Sequence, residues 1–148
     1  MSAKLLPTPE NQAAIQAISY DVLLKIAPDE VEASQVFLAP LIDMAIHGEE
    51  MPSSSPDKAG GLGSVDLMAM VVIPVVVTVL SDLLVELGKV KVEEIKEERQ
   101  KAREAKALKR ITYEDIAPLV KRIRPASTKK EIYHLAEAVN KILLEYLE

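Results

Sequence analysis

The chain contains no cysteine and no tryptophan, and its 148 residues include one phenylalanine and four tyrosines. The lack of cysteine excludes disulfide bonds and metal sites built on thiolates. Because 49% of the residues are nevertheless hydrophobic, the core must be aliphatic. A chain of this length corresponds to one domain, or to one domain with a helical extension.

Patterns that would indicate an enzyme or a metal protein are scarce. The two histidines, His47 and His134, lie far apart and have no partner at metal-ligand spacing. No serine sits in a nucleophile elbow, and no carboxylate pair is set among apolar neighbours that would raise a pKa for acid-base catalysis. We therefore expect no catalytic residue, no cofactor, no metal site and no small-molecule substrate.

The N-terminus begins MSAKLLPTP and lacks the apolar segment of a secretory signal. We therefore expect an intracellular, cytoplasmic protein, with membrane association as an open alternative. That alternative depends on a single uncharged run, from Leu67 to Leu80.

A helix that is apolar on every side lies in a protein core, in a subunit interface or in a bilayer. The run from Leu67 to Leu80 has 14 residues, fewer than the roughly 20 that span a membrane. Widening the window to 65–84 takes in Asp66 and Asp82, about 24 Å apart on a helix against a hydrocarbon slab of roughly 30 Å. Pro74 predicts a kink, which suits either setting. The short uncharged run and the close spacing of the two aspartates favour a buried or interface helix over a membrane helix.

Apolar residues at helical spacing predict an all-α fold of about five helices. Thr8 followed by Pro9 indicates the start of the first helix, and Thr128 with Glu131 forms a capping box for the last. The predicted helices cover residues 9–27, 30–47, 65–110, 113–123 and 129–147. They divide the chain into an N-terminal helical pair (1–48), a Pro/Ser/Gly-rich linker (49–64), one long central helix (65–110) and a C-terminal helical hairpin (111–148).

The third predicted helix carries the main functional hypothesis. At 1.5 Å per residue an unbroken helix over 65–110 would be about 70 Å long, too long for so small a chain to cover. Its apolar half would then meet other subunits or lipid. The side chains predicted to form this assembly or membrane surface are Met70, Ile73, Val76, Val77, Leu80 and Leu84.

Charge is distributed unevenly along the chain. Residues 1–88 hold 3 basic and 12 acidic side chains, whereas residues 99–130 hold 11 basic and 3 acidic. The basic stretch could neutralise phosphates, although the last helix offers only Asn140 for reading bases. Anionic lipid is another partner that the stretch could bind. The predicted phosphate contacts are Arg99, Arg103, Lys106, Arg110, Arg122 and Arg124.

Several motifs occur in one order along most of the chain. Ala27-Pro28-Asp29-Glu30 is followed by Leu62-Gly63, by an apolar helix with a central Pro74, and by a hairpin from Thr112 that ends in Leu-Ala-Glu-Ala-Val at 135–139. This order resembles short helical accessory proteins encoded in prokaryotic defence or conflict gene clusters. The resemblance implies a small non-enzymatic helical adaptor. Helical coat proteins of archaeal viruses are comparable in size and all-α content.

Three functions remain open from the sequence. The first is a non-enzymatic structural protein that self-assembles through the apolar helix into a homo-oligomer, filament or coat. The second is a membrane-associated or pore-forming effector that uses residues 65–87. The third is a binder of the nucleic-acid phosphate backbone through residues 99–130.

Overall fold

A computed structural model describes residues 8–48 and 68–148. These residues form seven α-helices and two 3₁₀ segments, Pro28–Glu30 and Val92–Glu98, and no strand. The all-α class is therefore confirmed, but the described helices are more numerous than the five predicted. The helices are α1 (Pro9–Ile26), α2 (Val31–Ile46), α3 (Ala69–Leu87), α4 (Arg99–Glu104), α5 (Lys106–Lys109), α6 (Tyr113–Ile123) and α7 (Lys129–Tyr146).

Helices α1 and α2 begin and end close to the predicted positions. The Thr8 hydroxyl oxygen accepts a hydrogen bond from the Asn11 N–H at 3.2 Å, and Pro9 occupies the first helical position. Pro28 then ends the first helix, because a proline disfavours helical conformation in the residue before it. The two helices pack against each other and against α3. The predicted linker at 49–64 lies outside the described residues.

Helix α3 is the centre of the bundle. It packs against α1, α2, α5, α6 and the segment Val92–Glu98, and 13 of its 19 residues are buried. The expectation that a chain this small cannot cover its apolar helix is therefore wrong. Helices on several sides, rather than a second molecule, remove α3 from water.

The predicted continuous helix over 65–110 is also wrong. Helix α3 ends at Leu87, because Gly88 adopts the left-handed conformation with φ 69° and the Lys89 N–H donates to the Leu84 carbonyl at 2.9 Å. Glycine is the usual residue at this position of a helix end, since it has no Cβ to clash. The chain continues as a 3₁₀ segment, α4 and α5, with an extended residue at Ala105 (ψ 145°) between the last two.

The breaks after α3 allow the sparse apolar residues of this stretch to reach the core. A straight rod would carry them away from α1 and α3, whereas the folded-back path buries the five that form the sparse apolar pattern of the sequence and leaves Val90 exposed. The five buried residues of this pattern are Val92, Ile95, Ala102, Ala105 and Leu108.

Side-chain hydrogen bonds hold the folded-back path in place. The buried Asn11 amide donates from Nδ2 to the Val90 carbonyl at 3.3 Å, and its Oδ1 accepts from the Val92 N–H at 3.0 Å. The Glu86 carboxylate accepts from the N–H groups of Lys106 and Ala107 at 2.9 and 3.2 Å. Polar groups that a continuous helix would satisfy internally thus find partners on α1 and α3.

Helices α6 and α7 pack against each other, α6 also against α3 and α7 also against α1. The predicted capping box is confirmed: the Thr128 N–H donates to Glu131 Oε1 at 2.8 Å, and the Glu131 N–H donates to Thr128 Oγ1 at 3.1 Å. Asn140, considered above as a base-reading side chain, instead donates to the Leu108 carbonyl at 3.1 Å. It therefore links α7 to α5.

Candidate polyanion-binding surface

The bundle has an acidic side, formed by α1 and α2, and a basic side, formed by α4, α5 and α6. Helices α1 and α2 pack on one part of α3, and α5 and α6 pack on another without major contacts to α1 or α2. Residues 8–48, which form the acidic side, hold six acidic side chains and one basic. We call seven exposed cations of α4, α5, α6 and the residue that follows α5 the basic side; Lys101 of α4 is left out because its ammonium pairs with Glu98 at 3.8 Å. The seven are Arg99, Arg103, Lys106, Lys109, Arg110, Lys121 and Arg122.

Arg99 and Arg103 lie on successive turns of α4 and are both exposed. Arg122, near the end of α6, is exposed as well. Within the described residues, no carboxylate lies within salt-bridge distance of these three guanidinium groups. They are available to an anionic partner from outside the chain.

Lys106 and Arg110 stand in a different setting, because α3 brings carboxylates close to them. They line a groove of about 350 Å³ between α3 and α5 together with Asp82 and Glu86. Partial burial raises the pKa of the Asp82 carboxyl above its ordinary value, and the nearby Arg110 only partly offsets this. We therefore expect Lys106 and Arg110 to attract phosphate less strongly than Arg99 and Arg103 do.

Arg124 does not join the other predicted phosphate contacts. Its side chain is only 15% exposed, and its guanidinium donates to both carboxylate oxygens of Glu131 and to the Ser127 hydroxyl, each at 3.3 Å. The pKa of Glu131 is lowered, first by the hydrogen bond from the Thr128 N–H and further by Arg124. Arg124 therefore braces the connection between α6 and α7.

The six side chains predicted to form an assembly or membrane surface all lie inside the bundle. None of them is more than 7% exposed, so none is available to a partner of the folded chain. Within the described residues, Ala69–Leu87 is the one helix long and apolar enough to cross a membrane by length and composition, and two thirds of its most apolar window is buried here. The buried residues are Met70, Ile73, Val76, Val77, Leu80 and Leu84.

The sequence patterns did not single out an aromatic pair near the basic side. Tyr113, the first residue of α6, stacks on Tyr133 of α7 with ring centroids 4.7 Å apart, and the Lys129 ammonium lies 5.6 Å from the Tyr113 centroid. Twenty positions separate the two tyrosines in sequence, so only the packing of α6 on α7 brings them together.

In the described parts of the chain, no three His, Asp or Glu side chains converge into a set that could hold a metal ion. Comparison with models of known protein families, with curated proteins and with solved structures finds no match.

Proposed function

We propose that this is a non-enzymatic interaction protein that binds the phosphate backbone of nucleic acid through its basic side. The observation that carries the proposal is the exposure of the seven cations of the basic side, on a part of the chain that makes no major contacts to the acidic α1 and α2 through α4, α5 or α6. Arginine suits such a surface, because its planar guanidinium can pair with two phosphate oxygens at once.

The strength of this binding follows from counterion release. If the two arginines of α4, Arg122 and one lysine each neutralise one phosphate, four counterions leave the nucleic acid. Affinity for a duplex should then fall roughly a hundredfold between about 50 and 200 mM salt. Because Asn140 is engaged within the fold, we expect binding that depends little on sequence.

Self-assembly through α3 fits the fold less well, since α3 would have to leave the core before its apolar side chains could meet another subunit. The membrane alternative retains one specific support, the length and apolar composition of Ala69–Leu87. It requires the same opening, because lipid would have to replace α1, α2, α5 and α6 around that helix.

Charge reversal tests the proposal. The double variant Arg99→Glu/Arg103→Glu should bind a short fluorescent DNA duplex at least about tenfold more weakly than the unaltered chain, measured by fluorescence anisotropy at low salt. The matched control is Lys25→Glu/Lys141→Glu, which changes the total charge equally but alters exposed lysines of α1 and α7. This control should bind DNA nearly as tightly as the unaltered chain.

Two results would overturn the proposal. One is a DNA affinity that both double variants reduce equally, since total charge rather than the basic side would then govern binding. The other is no DNA binding at low salt together with Arg99- and Arg103-dependent binding to vesicles containing phosphatidylserine. That second result would assign the basic side to anionic lipid.

A further inference from the structure

Helix α1 has apolar residues on two opposite faces. Ile15, Ile18 and Val22 face the core and are at most 2% exposed. At 100° per residue, a second group occupies the outermost face of the helix, about 180° away. This outer stripe consists of Ala13, Ala17, Tyr20 and Leu24.

The outer stripe remains uncovered in the folded chain. Ala13 and Ala17 are exposed, Tyr20 is partly exposed and the Leu24 side chain is 45% exposed. Its members are spaced four, three and four residues apart, which is the spacing of the a and d positions in a helix that packs against another helix. A solvent-facing helix surface would ordinarily carry polar residues at these positions.

The surface beside the stripe is concave. A groove of about 610 Å³ runs between α1 and α2, lined by Ala13, Ala17 and Tyr20 of the stripe, by Leu38 of α2 and by three polar or charged side chains of the two helices. A smaller groove of about 180 Å³ between α1 and α7 also includes Ala17. The two alanines therefore leave space on the outer face, Leu24 stands out from the helix, and Tyr20 is partly buried against the core with part of its surface exposed.

We propose that the outer stripe of α1 binds the α1 helix of a second copy in antiparallel orientation. In antiparallel helix pairs the a positions of one helix lie opposite the d positions of the other. Ala13 would then lie opposite Leu24 of the second copy, and Ala17 opposite its Tyr20. Each larger side chain would then pack over an alanine of the other copy, and the two-fold axis passes between residues 18 and 19.

The order of small and large residues identifies the occupant as a second copy of this chain. One sequence supplies both the large and the small residues in the order that a two-fold axis requires. A parallel pair would place alanine against alanine and tyrosine against tyrosine, leaving gaps at one end and crowding at the other.

The size and charge of the stripe define the kind of dimer that we expect. It extends over about 16 Å of helix, less than a standard protein interface, so a dissociation constant in the micromolar range is expected. Asp21 flanks the stripe, and the dimer would bring two acidic sides together. Salt should screen this repulsion and tighten the dimer, whereas it should weaken the binding of DNA.

The dimer leaves the proposed function intact. The outer stripe lies on α1, whereas the basic side lies on α4, α5 and α6, which make no major contacts to α1, so two copies joined through α1 would both present their cations to solvent. The dimer does not depend on nucleic-acid binding, and a monomeric variant should still bind a short duplex.

A matched pair of substitutions tests the interface by analytical ultracentrifugation over a range of protein concentrations. Leu24 and Val85 are 45% and 44% exposed, but Val85 lies on α3 beside α5. Leu24→Gln should weaken the dimer at least about tenfold, and Val85→Gln should leave it unchanged. A chain that is monomeric into the high micromolar range, or equal effects of the two substitutions, would overturn the proposal.

Disulfide trapping tests the orientation, because the chain has no other cysteine. Ala13→Cys mixed with Leu24→Cys should form a mixed disulfide dimer under mild oxidation, while each variant alone should crosslink much more slowly. Rapid crosslinking of Ala13→Cys with itself would contradict the antiparallel arrangement. Absence of every crosslink at concentrations where the unaltered chain dimerises would place the interface elsewhere.

Discussion

Helices α1 and α3 both carry more apolar surface than a helix with one buried face needs, yet the fold treats them differently. Helix α3 is surrounded by α1, α2, α5, α6 and the segment Val92–Glu98, and almost all of its apolar side chains are buried. Helix α1 is covered on its core face only, and Leu24 stays 45% exposed. The more hydrophobic of the two helices is therefore the less available to a partner.

This difference shows that the location of an apolar helix depends on its neighbours as well as on its composition. The long apolar run of α3 attracted the functional hypothesis, but such a run is also what the centre of a small helical bundle requires. The outer stripe of α1 is only four residues, interrupted by polar ones. It is nevertheless the surface that the fold leaves uncovered.

The largest expected effect is on the free energy of unfolding. It comes from making the same kind of substitution, Leu→Ala, once in α3 and once in α1. Leu80 is fully buried in α3, so Leu80→Ala should lower the free energy of unfolding by about 2 to 5 kcal/mol. Leu24→Ala should lower it by less than about 1 kcal/mol in dilute protein. Urea denaturation followed by circular dichroism measures both values.

The protein concentration in this experiment decides between two accounts of α3. A bundle that covers α3 itself predicts a cost of Leu80→Ala that does not change with dilution. If that cost appeared only at high protein concentration, Leu80 would be packing against a second molecule, and the comparison between α1 and α3 would fail.

A smaller loss of stability is expected from substitutions of Gly88, the residue at which α3 ends. No atom lies within 4 Å of the Cβ that a side chain at Gly88 would add, so its positive φ is the only obstacle to a substitution. Gly88→Ala should lower the free energy of unfolding by about 1 kcal/mol. Gly88→Asn should cost less, because asparagine tolerates the left-handed conformation. Equal stability of all three proteins would show that the end of α3 does not depend on this conformation.

Much of the fold could be predicted from local signals. The Thr8 and Thr128 caps, the proline after Ala27 and the apolar spacing within each segment placed α1, α2, α6 and α7 to within about a residue. The path after α3 could not be predicted in this way. Strong helix formers at 89–110 favour one continuous helix, but long-range bonds from Asn11 and Glu86, together with burial of a few small side chains, favour the folded-back path.

The candidate site could also be predicted only in part, because local sequence signals do not show long-range contacts. The charge count located the basic stretch, but side-chain availability depends on tertiary contacts. Arg124 is bound to Glu131, and Arg110 stands beside Asp82, neither of which follows from spacing alone. The outer stripe of α1 was visible in the sequence as a second set of residues at heptad spacing. It could be recognised as uncovered only once the neighbours of α1 were known.

The smallest predicted effect concerns the partly buried carboxylate of α3. Because burial raises the pKa of Asp82, its ionised form destabilises the folded state above that pKa, and the penalty disappears as the pH falls below the ordinary aspartate value of about 3.9. Asp82→Asn should therefore slightly increase the free energy of unfolding at neutral pH, and this advantage should vanish in acid. Arg110→Gln should raise the pKa of Asp82 further, which an NMR titration would measure. A loss of stability in Asp82→Asn at neutral pH would instead mean that the attraction of Arg110 outweighs burial, and that α3 gains stability from its polar edge as well as from its apolar surface.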